Sequence, residues 1–350
     1  MENLKLKAGP KAFKILQERG LRKEDIKVIP GAAGGPKWLI LYELDRYIFG
    51  EFLKNKKEPL DLIGASAGAW RMACACQNDP IKALEHFYHS YVNQRYDRMP
   101  TAEDVQKVCN HIVKETLGKN GVDEILNNKN KRLHVITSRS KFGYPKDKIK
   151  RKYYEIVLAN TLSRKNLNRY FERCIFSNTN HGIVDIEDDL LNTKEIKVSK
   201  EDLPNAMLAS GAIPGVIEPV QNIKSAPGIH WDGGVTDYHL DLPYKMDDGL
   251  ILYPHFENRI LAGWLDKFVP FRKTRKKNLE HMLLLYPSKS FVQSLPMKKI
   301  TERVDFETYF LKDDERIELW NATSEQCKVL AEELESIVNG KLDLTKVERF

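Results

Sequence analysis

Three short stretches of this chain combine residue types and spacing that suit chemistry: Gly64-Ala65-Ser66-Ala67-Gly68, Asp232-Gly233-Gly234 and Gly34-Gly35-Pro36-Lys37. The first follows the apolar run Leu62-Ile63, which reads as a strand. It precedes Ala69, Ala73 and Ala75, which read as a buried helix. A Gly-x-Ser-x-Gly at a strand-to-helix junction is the pattern of a nucleophile elbow, a sharp turn that lifts a serine oxygen out of a sheet. Ala65 and Ala67 are small enough to let the backbone bend there. The flanking glycines are expected to supply room and unusual dihedrals. The helix start after Ser66 points amide N–H groups, Ala67 first, at any anion that develops beside the serine. The pentapeptide equally fits a glycine-rich turn around a buried, hydrogen-bonded serine, so the reading depends on what else the chain supplies.

An activated serine needs a base, donors for an oxyanion, and a pocket. Gly34-Gly35-Pro36-Lys37 comes after the short strand Lys27-Val28-Ile29 and opens a helix, so its amides can converge on one small volume. Pro36 suits a first helical turn, where its missing N–H costs nothing. The stretch also reads as a phosphate loop or a plain glycine turn, although it lacks the Gly-Lys-Ser/Thr of a Walker motif. Asp232-Gly233-Gly234 closes the run Gly228–Asp232, read as a strand end. A carboxylate there, with free backbone behind it, can reach a neighbouring site; the plain alternative is an Asp-Gly turn.

The elements that must position these residues are those of an α/β protein. Strand, glycine loop, helix (Leu41, Leu44 and Ile48 at helical spacing) and second strand form a βαβ unit, which implies a parallel sheet with helices on its faces. Beyond it the sequence predicts helices near Lys11–Arg19, from Thr101 to about Gly118, at about Tyr153–Ser163 and over Leu203–Leu208. It predicts strands at Leu133–Thr137, Arg173–Ser177, Leu250–Tyr253 and Met282–Tyr286. Thr323-Ser324-Glu325-Gln326 reads as the capping box of a C-terminal helix whose apolar face carries Val329, Leu330, Leu334 and Ile337, with Gly340 as its stop.

Composition bounds the class. A 350-residue chain with 42% hydrophobic and 30% charged residues has apolar material for a real core. No run approaches the roughly 20 apolar residues that span a bilayer, and the first residues lack the apolar segment of a secretory signal. The five scattered cysteines (Cys74, Cys76, Cys109, Cys174, Cys327) argue against a disulfide framework and for a reducing, cytoplasmic setting. Cys74-x-Cys76 has no second pair to make a zinc site. The formal net charge of +7 gathers at Lys129–Arg132, Lys146–Lys152 and Arg272–Lys277. No nucleic-acid-binding module is recognisable, and clustered cations suit an anionic lipid surface at least as well.

Taken together and in order, Gly34-Gly35-Pro36-Lys37, Gly64-Ala65-Ser66-Ala67-Gly68, Ala209-Ser210-Gly211-Ala212-Ile213-Pro214 and Asp232-Gly233-Gly234 resemble the patatin-like phospholipase family over about residues 25–245. The resemblance implies a three-layer α/β sandwich with a central, mostly parallel sheet. It also implies an acyl hydrolase that works through a Ser-Asp dyad without a catalytic histidine. By position Ser66 matches the nucleophile, Asp232 the dyad aspartate, Gly34 and Gly35 the oxyanion loop, and Lys37 its basic residue. Ala209–Pro214 matches a segment that supports the site. Ala33 stands where the family commonly has a third leading glycine; its N–H is expected to donate all the same. Trp38 replaces a further glycine and is expected either to narrow the mouth of the site, as a substrate-binding residue beside Lys37, or to pack under it. After Asp232 the chain reads Val235-Thr236-Asp237-Tyr238, without the family's usual Asn-x-Pro.

The expected chemistry is attack of Ser66 on an ester carbonyl, with Asp232 accepting its proton. That role requires burial to raise an ordinarily weak carboxylate base. Two rivals stay open here. One is an α/β-hydrolase with a Ser-Asp-His order, since His239, His255 and His281 all follow Asp232; the other is a non-catalytic lipid-binding protein. Trp264–Lys277 joins bulky apolar residues to a basic run, as a peripheral membrane contact would, although Pro270 interrupts any long helix and a surface loop anchored by its aromatics fits as well. The expectation is one domain over residues 1–350, a motif-bearing core at about 25–245 followed by a helical C-terminal extension over 246–350. It acts on lipid esters, with no metal or organic cofactor and no nucleic-acid partner indicated.

Overall fold

A computed structural model describes residues 2–143 and 149–350, so the first part of the Lys146–Lys152 cluster lies outside the described residues. Ten strands form one mixed sheet: β1 Leu4–Ala8, β2 Ile26–Gly31, β3 Leu60–Ala65, β4 Lys131–Ser140, β5 Phe171–Ser177, β6 Thr193–Lys197, β7 Ile229–Asp232, β8 Leu250–Pro254, β9 Met282–Pro287 and β10 Val347–Arg349. Their order is β10-β1-β9-β8-β2-β3-β4-β5-β6, with β7 added against β4. The central pairs β9–β8–β2–β3–β4 are all parallel. Helices cover both faces, so the strands read as near-continuous apolar runs: every residue of β3, β8 and β9 is buried. This is the three-layer α/β architecture that the resemblance implied, with helices at the C-terminal end. The part beyond residue 246 is not only helical, however. It supplies β8, β9 and β10, and β8 lies directly against β2 at the sheet centre.

Most predicted elements stand where the sequence put them. The helix Ala102–Leu117 starts with a complete capping box between Thr101 and Asp104 and ends at Gly118. Two features differ. Gly35–Leu41 is a 3-10 turn, with Pro36 in its first positions, before the helix Tyr42–Tyr47. Thr323–Gln326 caps nothing: the helix already begins at Asp313, three acidic residues filling its first turn, and the Thr323 hydroxyl donates to the Leu319 carbonyl one turn back. After a break at Cys327 the chain continues as Lys328–Ser336, which buries Leu330 and Leu334.

Register on β4 does the positioning. β3 pairs with β4 in parallel as far as Ala65 opposite Ile136. At the next residue β7 takes over in the antiparallel sense, Asp232 opposite Thr137. β3 and β7 thus arrive end to end along one edge of β4, and the first residue past β3 is Ser66. Buried ion pairs fix the flanks. Arg71, on the helix Ala67–Cys76, forks onto Asp45 at 2.6 and 2.7 Å, both side chains fully buried. Arg173 forks onto Asp237 at 2.6 Å from two nitrogens and also reaches Asp189, while Arg164 holds the Thr236 carbonyl. Removing one partner of such a pair strands a buried charge. Arg173→Ala is therefore expected to lose about 3–5 kcal/mol in urea unfolding, far more than loss of the exposed pair Lys200–Asp123.

Candidate active site

Ser66 sits at φ 56°, ψ −135°, a conformation that costs a non-glycine residue about 1–3 kcal/mol and is held by its surroundings. Its N–H donates to Ser210 Oγ at 2.9 Å, and Ser210 in turn donates to the Ile136 carbonyl at 2.7 Å. Ser210 of the Ala209–Pro214 segment thus ties the elbow to β4, which gives that segment a physical role. The strained dihedral belongs to the serine itself. Neither Gly64 nor Gly68 has positive φ; both are there for room. A Cβ on Gly68 would stand 1.9 Å from the Gly31 oxygen, and one on Gly64 would stand 2.5 Å from Ala69.

The Ser66 hydroxyl donates to Asp232 Oδ2 at 2.7 Å, and the Gly234 N–H donates to Oδ1 at 2.6 Å. Both side chains are buried. Desolvation raises the Asp232 carboxyl to about 7, overriding the two hydrogen bonds that favour its charged form. None of the three later histidines lines the cavities at Ser66. His239 and His255 are fully buried, and burial pushes His239 well below the usual imidazole range and His255 down to about 4, so both stay neutral. His281 binds the Gly249 carbonyl.

Two cavities meet at Ser66, sharing Gly35, Ser66, Ile213 and Arg303. The first, about 310 Å³, is largely apolar, with Trp70, Tyr96, Met99, Val105, Ile112 and Phe306 among its walls. The second, about 250 Å³, is more polar and carries Asp232, Lys37, Lys267 and Glu302. Gly34 and Gly35 line the second and Ala67 the first; among the described residues no acceptor takes the N–H of any of the three. Gly35 alone of this loop has positive φ, 55°. The Ala33 N–H, expected to donate as a leading glycine's would, donates to the Tyr238 carbonyl at 2.8 Å and is not unclaimed like the other three. Lys37 reaches the cavity wall but its ammonium is tied to Glu257 at 2.6 Å over the Phe256 ring.

Trp38 corrects its expected role as a substrate-binding residue. It is 1% exposed and lines neither cavity. It stacks on Phe87 at 4.2 Å and meets Tyr91 edge-on at 5.7 Å, and Tyr91 lines the apolar cavity. The second alternative holds, since the tryptophan packs under the site. Cys74 and Cys76 are likewise buried in the elbow helix. Trp264 and Lys267, read in sequence as part of a surface segment, form part of the polar cavity wall, and Arg303 closes the junction. Arg303 carries no motif; only the fold brings it to Ser66.

A three-layer α/β sandwich in which a strand turns sharply into a helix at a serine facing a buried carboxylate defines a class of α/β proteins. Within that class, the patatin-like phospholipase profile matches residues 50–239, more than half of the chain, and the chain belongs to this family of lipid acyl hydrolases. The match takes in the elbow, Ala209–Pro214 and Asp232–Gly234, whereas Gly34–Lys37 precedes it. A search of curated proteins finds no match.

Proposed function

We propose that this chain is a serine hydrolase that cleaves fatty-acyl esters of lipids through a Ser66–Asp232 dyad and an acyl-enzyme. The observation that carries the reading is the 2.7 Å hydrogen bond from Ser66 to a carboxylate whose affinity for a proton is raised to about 7, with no histidine between them. Ser66 Oγ bonds to the ester carbonyl carbon as its proton passes to Asp232. The tetrahedral oxyanion is held by the unclaimed N–H groups of Gly34, Gly35 and Ala67. The carbon–oxygen bond to the alcohol breaks, and the alcohol leaves with the proton from Asp232. Water then attacks the acyl-enzyme, Asp232 taking its proton, and the fatty acid and free Ser66 result. The apolar cavity takes the acyl chain and the polar one the alcohol part, with Lys37 in its wall. Residues 1–350 act as one unit, because Lys267 and Arg303 complete walls around motifs that lie far earlier in the chain.

The test is fluorophosphonate labelling with mass mapping, run beside fatty-acid release from phospholipid vesicles. Label on Ser66, and loss of both label and release in Ser66→Ala, is the expected result. A wild type that binds vesicles yet neither labels nor hydrolyses would replace the enzyme with a lipid-binding protein.

A further inference from the structure

The helix Ile149–Leu162 is apolar on two faces. Inward it packs Ile156, with Tyr153 and Val157, into a small cluster that includes Trp231, Val235 and Leu265. Outward, at successive turns, stand Tyr154, Leu158 and Leu162, 72%, 64% and 76% exposed. The adjoining loop adds Phe268 and Phe271, 60% and 71% exposed. Loop and helix are one surface: Arg272 ties Asp266 to Asn160, the Tyr153 and Trp264 rings lie 5.9 Å apart, and Leu162 and Phe271 line the same shallow cavity.

This surface also borders the site. Trp264 and Lys267 belong to the wall of the polar cavity, and exposed Val304 lines it too. The charges flanking the stripe are mostly positive. Arg151, Lys165, Lys273 and Lys276 are exposed. The carboxylates of the two segments are Glu155, paired with Arg151 and Lys152, and buried Asp266.

We infer that Tyr154, Leu158, Leu162, Phe268 and Phe271 form a docking face for an anionic lipid surface, laid beside the mouth of the Ser66 cavities. Apolar side chains enter the acyl boundary while the flanking lysines meet headgroups. The face extends well beyond the Trp264–Lys277 run: the helix stripe is its longer part, and Arg272, Arg275 and Lys277 of the basic run are instead taken up by Asp266 and Asp188. Docking itself does not need the dyad. Its use for delivering substrate rests on the function proposed above.

Vesicle sedimentation with full-length Ser66→Ala protein tests the face without lipid turnover. Binding to vesicles containing phosphatidylglycerol, weaker on pure phosphatidylcholine, is expected. Leu158→Glu with Leu162→Glu, and separately Phe268→Ser with Phe271→Ser, should each reduce it by about tenfold or more at an unchanged melting temperature. On the Ser66-containing chain the same pairs should lower the ratio of vesicle to soluble-ester turnover. Wild-type-like binding in both pairs, or no vesicle binding by the parent, overturns the inference. So does a parent dimer that the variants break, which would make the face a self-interface. Hydrolysis that survives Ser66→Ala would sink the dyad and leave the docking result standing.

Discussion

Asp232→Asn protein should release fatty acid at least about 10³-fold more slowly than wild type, and yet melt higher at pH 8. The two effects share one cause. Burial makes ionised Asp232 unfavourable, which raises its proton affinity to about 7, as the base proposed above requires. The same burial is a cost to the fold whenever the group is charged. For a carboxyl whose folded value lies above its unfolded one, the favourable contribution is complete below about pH 4 and is lost as pH rises through about 7. At pH 8 the wild type carries the full penalty, on the order of 2–4 kcal/mol. Asparagine is neutral at every pH and can still accept from the Gly234 N–H. The melting difference should therefore shrink as pH falls and vanish near pH 4. Wild-type kcat/KM should drop about tenfold per pH unit below about 7, because protonated Asp232 cannot take the serine proton. Equal melting points at pH 8, or an acid limb near pH 4, would show that Asp232 is not so desolvated. An active Asp232→Asn protein alongside a dead His239, His255 or His281 variant would restore the histidine triad.

The second large effect is expected at Gly68. An alanine Cβ there would stand 1.9 Å from the Gly31 oxygen and 2.6 Å from the Ala32 oxygen, both backbone atoms that no rotamer change can move. The elbow helix and β2 must separate, at a cost of about 3–5 kcal/mol, and the Ser66 N–H bond to Ser210 goes with them. Gly68→Ala should melt much lower than wild type and lose fluorophosphonate labelling. Gly35 makes the contrast. It has open space around it, Tyr91 being 3.8 Å away, but φ of 55°, so Gly35→Ala should cost only about 1–2 kcal/mol of dihedral strain. Similar melting points for the two variants would undo this account of what each glycine does.

The sequence by itself determined the elements and the local chemistry. An apolar run ending in Gly64–Gly68 must turn sharply, because small residues crowd one position and a helix follows at once. Thr101 and Asp104 announce a helix start through contacts only three residues apart. Ser66 and Asp232 stood out for the same local reason, a functional group within two residues of glycine at the end of a strand. What joins them is not local. Their meeting follows from register on β4, parallel to β3 and antiparallel to β7, and hydrogen-bond register between distant strands leaves little trace in either sequence. The same holds for Trp38, whose neighbours in sequence suggested the site and whose neighbours in space, Phe87 and Tyr91, bury it. Arg303 had no signal in sequence: an exposed arginine has no periodicity to betray it, and only packing of the C-terminal segment, where Thr301 donates to the Pro36 carbonyl, places it at the serine. The helix at about Tyr153–Ser163 was legible, but its outward stripe Tyr154–Leu158–Leu162 was not, because helical spacing says only that residues share a face. Which face the protein keeps for itself, and which it leaves to the outside, was decided by the tertiary structure.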